Sequence, residues 1–133
     1  MQSKKIGFVN GCFDVLHIGH IRMLDFAKSC CDELIVGIDS DARVKKMKGP
    51  TRPINDELDR QEFLLSLQAV DRVEIFDSEG ELISLIKSLQ PDIMVVGSDY
   101  RDKRVVGSEH AKQLIFFSRI EGYSTSKIVE GSG

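Results

Sequence analysis

Two histidines, His17 and His20, stand three residues apart with Gly19 between them. They follow a short apolar run, Ile6 to Val9, and a turn at Gly11, and they precede an amphipathic run over residues 21–31. Residues at i and i+3 share one face of a helix, so both imidazoles are expected at the mouth of that helix. The first N–H groups of a helix have no intrahelical partner, and the dipole there is positive. A strand, a glycine turn and a helix start together make an anion site suited to phosphate. Imidazole donors at its lip can follow negative charge as it builds on a phosphorus centre. Gly19 has no side chain and lets a ligand approach the backbone.

The elements that must position this pair follow from the apolar pattern. Residues 34–38, 73–76, 93–96 and 114–117 are short continuous apolar runs, which read as buried parallel strands. Helices are expected over residues 57–69, 80–89 and 108–113, and a further short one over the tail, 123–130, capped by Ser124 or Thr125. The basic stretch from Arg43 to Lys48, followed by Gly49, Pro50 and Pro53, is expected to be a loop. Alternating strands and helices predict one α/β, Rossmann-like domain over residues 1–133, a five-stranded parallel sheet with helices on both faces. Ligands of such sheets bind beyond the C-terminal strand ends. That edge collects His17 and His20 from the first loop, Lys45 and Lys48 from the second, Asp99, Tyr100 and Arg104 from the fourth, and Arg119, Ser124, Thr125, Ser126 and Lys127 from the fifth. Two helix mouths, several cations and two imidazoles converging predict a triphosphate site.

Composition narrows the class. A net charge of −3 argues against a nucleic-acid binder. No apolar run is long enough for a membrane span, and no signal-peptide pattern is legible. The cysteines, Cys12, Cys30 and Cys31, are odd in number and two are adjacent, which fits a reducing, cytoplasmic setting and not a disulfide framework. Their spacing offers no zinc site. Cys12 lies in the first loop but has no evident partner base, so it is not expected to be a nucleophile.

The segment Gly11-Cys12-Phe13-Asp14 through His17-Ile18-Gly19-His20 resembles the signature of the cytidylyltransferase-like nucleotidyltransferases. The stretch from Arg119 to Ile128 looks like the C-terminal motif of glycerol-3-phosphate cytidylyltransferases, and Val70-Asp71-Arg72-Val73 is similar to that family's segment before the third strand. Lys48 to Asn55, Gly97-Ser98-Asp99-Tyr100 and Val105-Val106-Gly107 resemble instead the heptose-phosphate adenylyltransferases, which usually read Lys-Gly where this chain has Val96-Gly97. The resemblance implies transfer of a nucleoside monophosphate from CTP or ATP to a small phosphomonoester, glycerol 3-phosphate or a sugar phosphate, with release of pyrophosphate.

The same resemblance implies His17, His20, Lys48 and Arg119 as catalytic residues. It implies Gly11, Cys12, Phe13, Asp14, Gly19, Lys45, Asp99, Ser124 and Thr125 around the nucleotide, with Lys45, Arg60 and Tyr100 toward the second substrate. Asp14 either orients its loop or approaches magnesium; Asp99 either contacts nucleotide or holds its own loop. Mg2+ is expected on the triphosphate oxygens, without a dedicated protein site. Small relatives of this kind pair as homodimers. Three other readings remain at this point. One is a class I aminoacyl-tRNA synthetase, for which the chain lacks room for a tRNA-binding domain. Another is a coenzyme adenylyltransferase. The third is a non-catalytic nucleotide sensor, which would not need an intact histidine pair.

Overall fold

The computed structural model describes residues 4–98, 103–118 and 123–128, the last of these as backbone. In chain order the elements are β1 (Ile6–Gly11), α1 (Ile18–Ser29), β2 (Glu33–Asp39), α2 (Asp41–Lys48), α3 (Glu57–Leu65), β3 (Arg72–Phe76), α4 (Glu79–Leu89), β4 (Ile93–Gly97), a 3-10 turn (Ser108–His110), β5 (Gln113–Ser118) and β6 (Tyr123–Ile128). The sheet runs β3-β2-β1-β4-β5-β6. Its first five strands are parallel, as the apolar runs predict. The strands between them are apolar on both faces because both faces are covered. Leu24 and Ala27 of α1 and Leu64 of α3 pack with Val9, Val36 and Val95 on one side. Leu82 and Ile86 of α4 pack with Phe8, Ile35 and Met94 on the other.

Four local expectations are corrected. The tail is not a helix: β6 lies antiparallel on β5, with Phe117 opposite Ser124 and Phe116 opposite Thr125. An edge strand with unpaired N–H and C=O groups offers the tail a partner that local propensity cannot anticipate. The stretch expected as a basic loop contains α2. Ser40 caps it, accepting from Arg43 N–H at 3.2 Å, and Gly49 ends it at φ 108°, a conformation only glycine adopts freely. Lastly, α3 stops at Leu65, and residues 66–70 continue as turns through Leu67 N–H on Leu64 O and Val70 N–H on Leu67 O. The helix expected over residues 108–113 shrinks to the 3-10 turn, because Gln113 already belongs to β5.

The chain runs from β1 outward through β2 to β3, then returns to place β4 on the other flank of β1. Strand order therefore reverses at β1, and the crevice above that reversal is where this architecture binds ligands.

Candidate active site

A cleft of about 680 Å3 opens at that reversal, within the range of small-molecule sites. Gly11, Cys12, Phe13, His17, Gly19 and His20 line it from the loop after β1 and the start of α1.

The histidines build the helix mouth themselves. His17 is the N-cap, in extended conformation, and its Nδ1 accepts the Gly19 N–H at 3.0 Å. His20 Nδ1 accepts the His17 N–H at 3.2 Å. This is a capping box with imidazoles in place of hydroxyl and carboxylate. Each Nδ1 acts as an acceptor, so in the neutral ring the proton sits on Nε2. The rings lie 3.9 Å apart between centroids. The Gly19 N–H, one of the first of the helix, is thus taken by the cap. Gly19 itself is buried.

Behind the pair stands Phe13. Its φ of 51° is rare for a bulky residue, and its ring meets His20 edge-on with centroids 5.4 Å apart. A Cβ on Gly11 would lie 3.1 Å from that ring, so glycine is what lets the ring sit there.

Asp14 ties its loop to the chain beyond α2. It is 9 % exposed; its carboxylate accepts from the N–H groups of Ile54 (2.9 Å) and Asn55 (2.8 Å) and from Arg52 at 3.3 Å. Burial on its own raises the carboxyl pKa, but these donors outweigh it and hold the group below its usual range. Both oxygens accept from the segment after α2, so Asp14 clamps its loop to that segment.

Arg60, expected near substrate, is instead buried at 1 % exposure. Its Nε donates to Asn55 O at 2.9 Å, Nη1 to Cys12 O at 3.0 Å and Asp39 O at 2.7 Å, and Nη2 to Asp41 at 2.8 Å. One guanidinium ties together the loops that follow β1, β2 and α2. Cys12 lines the cleft with its thiol pushed up by burial, against the pull of Lys48 and Arg60, so it stays protonated.

On α2, Lys48 reaches the cleft, as do Arg43 and Met47, which are i and i+4 neighbours. Lys45 is exposed and is not among the residues that line the cleft. Asp39 and Arg43 are cleft residues that sequence reasoning passed over. Ser40-Asp41 was a legible cap signal, and placing α2 there would have put Arg43 one turn inside it. Asp99, Tyr100 and Arg119 lie outside the described residues. Ser124 and Thr125 fall on β6, where the register sets them beside the end of β5 that borders the cleft through Phe117 and Ser118. Both residues therefore belong to a strand and not to the second helix mouth expected there. Among the described residues no cluster of His, Cys, Asp and Glu is arranged to hold a metal ion, and no helix is long and apolar enough to cross a membrane.

A family model described as Cytidylyltransferase-like matches residues 8–131. The chain is 52% identical over 129 residues to the Bifunctional protein HldE of Nitratiruptor sp., covering 97% of this chain and 28% of that protein. It is also 52% identical over 129 residues to the Bifunctional protein HldE of Helicobacter pylori, with the same coverage. It thus spans 28% of the length of these curated relatives. The solved structure of the lipopolysaccharide core biosynthesis protein from Thermoplasma volcanium GSS1 is similar with a TM-score of 0.66 and 31% identity, over 74% of this chain and 79% of that one. The match begins within β1, takes in the strand-turn-helix with its paired histidines and extends past β6: the chain belongs to the cytidylyltransferase-like family of nucleotidyltransferases.

Proposed function

We propose that this domain transfers AMP from ATP to a sugar phosphate. A phosphate oxygen of the acceptor attacks the α-phosphorus, the bond from that phosphorus to the β-bridging oxygen breaks, and pyrophosphate departs with the electron pair. The product is a nucleoside-diphosphate sugar. The attacking phosphate is anionic near neutral pH, so positioning and charge stabilisation are what the protein must supply.

The observation that carries this reading is the imidazole pair, anchored through Nδ1 at the mouth of α1 inside the cleft. The Nε2–H groups of His17 and His20 are suited to donate to α-phosphate oxygens as the phosphorus becomes five-coordinate. Lys48 and Arg119 neutralise the β- and γ-phosphates, with Ser124, Thr125 and Asp99 as further contacts on the nucleotide and Tyr100 on base or sugar. Asp14 and Arg60 are positioning residues. Magnesium bound to triphosphate oxygens would add charge neutralisation there. The choice of ATP and a sugar phosphate over CTP and glycerol 3-phosphate is supported by the segments that resemble the heptose-phosphate adenylyltransferases, and by similarity to HldE proteins across 97% of the chain. The free cysteines and the nucleotide substrate suit the cytoplasm, and a homodimer is the expected assembly.

The test is pyrophosphate release by the purified protein with Mg2+, given ATP or CTP against heptose 1-phosphate or glycerol 3-phosphate. Release is expected with ATP and heptose 1-phosphate. Release only with CTP and glycerol 3-phosphate would reverse the substrate assignment. Nucleotide binding without release for any acceptor would make the domain a sensor.

A further inference from the structure

The cleft has two unlike flanks. On the β4–β5 side it is mainly apolar, lined by Val95, Val96, Val105, Val106 and Phe117 together with Ser98, Arg104 and Ser118. On the β2–β3 side it presents Asp39, the last residue of β2, and Arg43, one turn into α2, above Phe76 at the end of β3. The loop after β1, with the histidines, lies between the two flanks because β1 lies between β2 and β4 in the sheet. A nucleobase is a flat, largely apolar group and fits the first flank. A polyhydroxylated group needs paired donors and acceptors and fits the second.

The pair on that second flank is not built like a surface ion pair. Arg43 donates to Asp39 Oδ1 at 2.7 Å through Nε, and its side chain is 20% exposed against 12% for Asp39. The guanidinium carbon stands 5.7 Å from the centroid of the Phe76 ring. Pairing through Nε leaves both Nη groups without a hydrogen-bond partner among the described residues. Holding a guanidinium at such low exposure, with no partner for its fork among the described residues, costs solvation that an open i,i+4 pair would keep. Asp39 and the Phe76 ring fix the arginine from two sides, and guanidinium and carboxylate line the cleft side by side.

We infer that Asp39 and Arg43 form the subsite that reads the hydroxyls of the acceptor's sugar, Asp39 accepting from one and the Arg43 fork donating to the next. The inference rests on the proposed transfer to a sugar phosphate and names the residues that set its acceptor specificity.

The test is calorimetric binding of heptose 1-phosphate to the protein loaded with α,β-methylene ATP and Mg2+, for wild type, Arg43→Gln and Asp39→Asn. Each substitution is expected to weaken heptose 1-phosphate binding at least about tenfold, the effect of losing a hydrogen bond to a charged group. The thermal shift produced by the ATP analogue should stay unchanged, which also reports that the variants are folded. Glycerol 3-phosphate, too short to span the subsite, should bind wild type and variants alike. Equal heptose 1-phosphate binding by wild type and a folded variant would overturn the subsite, as would loss of the nucleotide shift in step with it, which would put the pair on the nucleotide side. Failure of the parent reading looks different: no pyrophosphate is released from ATP with any phosphomonoester, whatever the binding data show.

Discussion

His17 and His20 cap one helix for each other: the first ring accepts the Gly19 N–H, and the second accepts the His17 N–H. One nitrogen of each imidazole is spent on structure, which orients the other. Cap and catalyst are therefore the same side chains read at opposite edges.

This separates two effects that alanine would mix. His17→Ala and His20→Ala should each lower kcat on the order of a hundredfold or more with little change in nucleotide affinity, and His17→Ala should also cost about 1 kcal/mol of stability through the lost cap. His17→Asn keeps an acceptor near the Nδ1 position and lacks the Nε2 donor. It should recover the thermal midpoint without recovering turnover. Wild-type turnover in any of the three would remove the histidines from the mechanism.

Arg60 is a second case in which burial assigns the role. Replacing it by leucine strands the carbonyls of Cys12, Asp39 and Asn55 and the Asp41 carboxylate, at a cost of about 3–5 kcal/mol. Arg60→Lys should rescue little, since a single ammonium cannot reach all four acceptors. Urea unfolding measures both, and a lysine variant as stable as wild type would refute the brace.

Gly11→Ala tests the stack behind His20. The added methyl would stand 3.1 Å from the Phe13 ring, which in turn abuts His20. Displacing that ring should reduce kcat by about tenfold or more, as small misplacements of reacting groups do, with a stability loss of about 1–3 kcal/mol from overpacking. Unchanged kcat would show that Phe13 does not hold the imidazole.

Acid stability follows from Asp14, Asp71 and Asp92. At each, burial is outweighed by bound donors: the Asn55 and Ile54 N–H groups and Arg52 at the first, Lys28 and the Leu34 N–H at the second, the Ile6 N–H and Lys112 at the third. All three carboxyls lie below their ordinary value of 3.8. A depressed folded pKa stabilises above the unfolded value, and the gain is lost as pH falls through the folded one. Unfolding free energy should therefore hold down to about pH 4 as far as these groups govern it, then drop. Asp14→Asn should be less stable at neutral pH and lose less on acidification. Parallel pH curves for mutant and wild type would contradict the assignment.

Much of this was legible from local pattern. The continuous apolar runs announce buried parallel strands, and Gly11 followed by His17 and His20 announces a strand-turn-helix with imidazoles at its mouth, because periodicity and cap chemistry act within a few residues. Tertiary structure alone decided the rest. β6 is a strand because β5 offers it an open edge. Lys48 lines the cleft because the packing of α2 sets its rotation. Arg60 is interior because three separate loops bring carbonyls to one point. Such outcomes depend on residues far apart in the chain arriving together, and short-range spacing carries no record of that arrival.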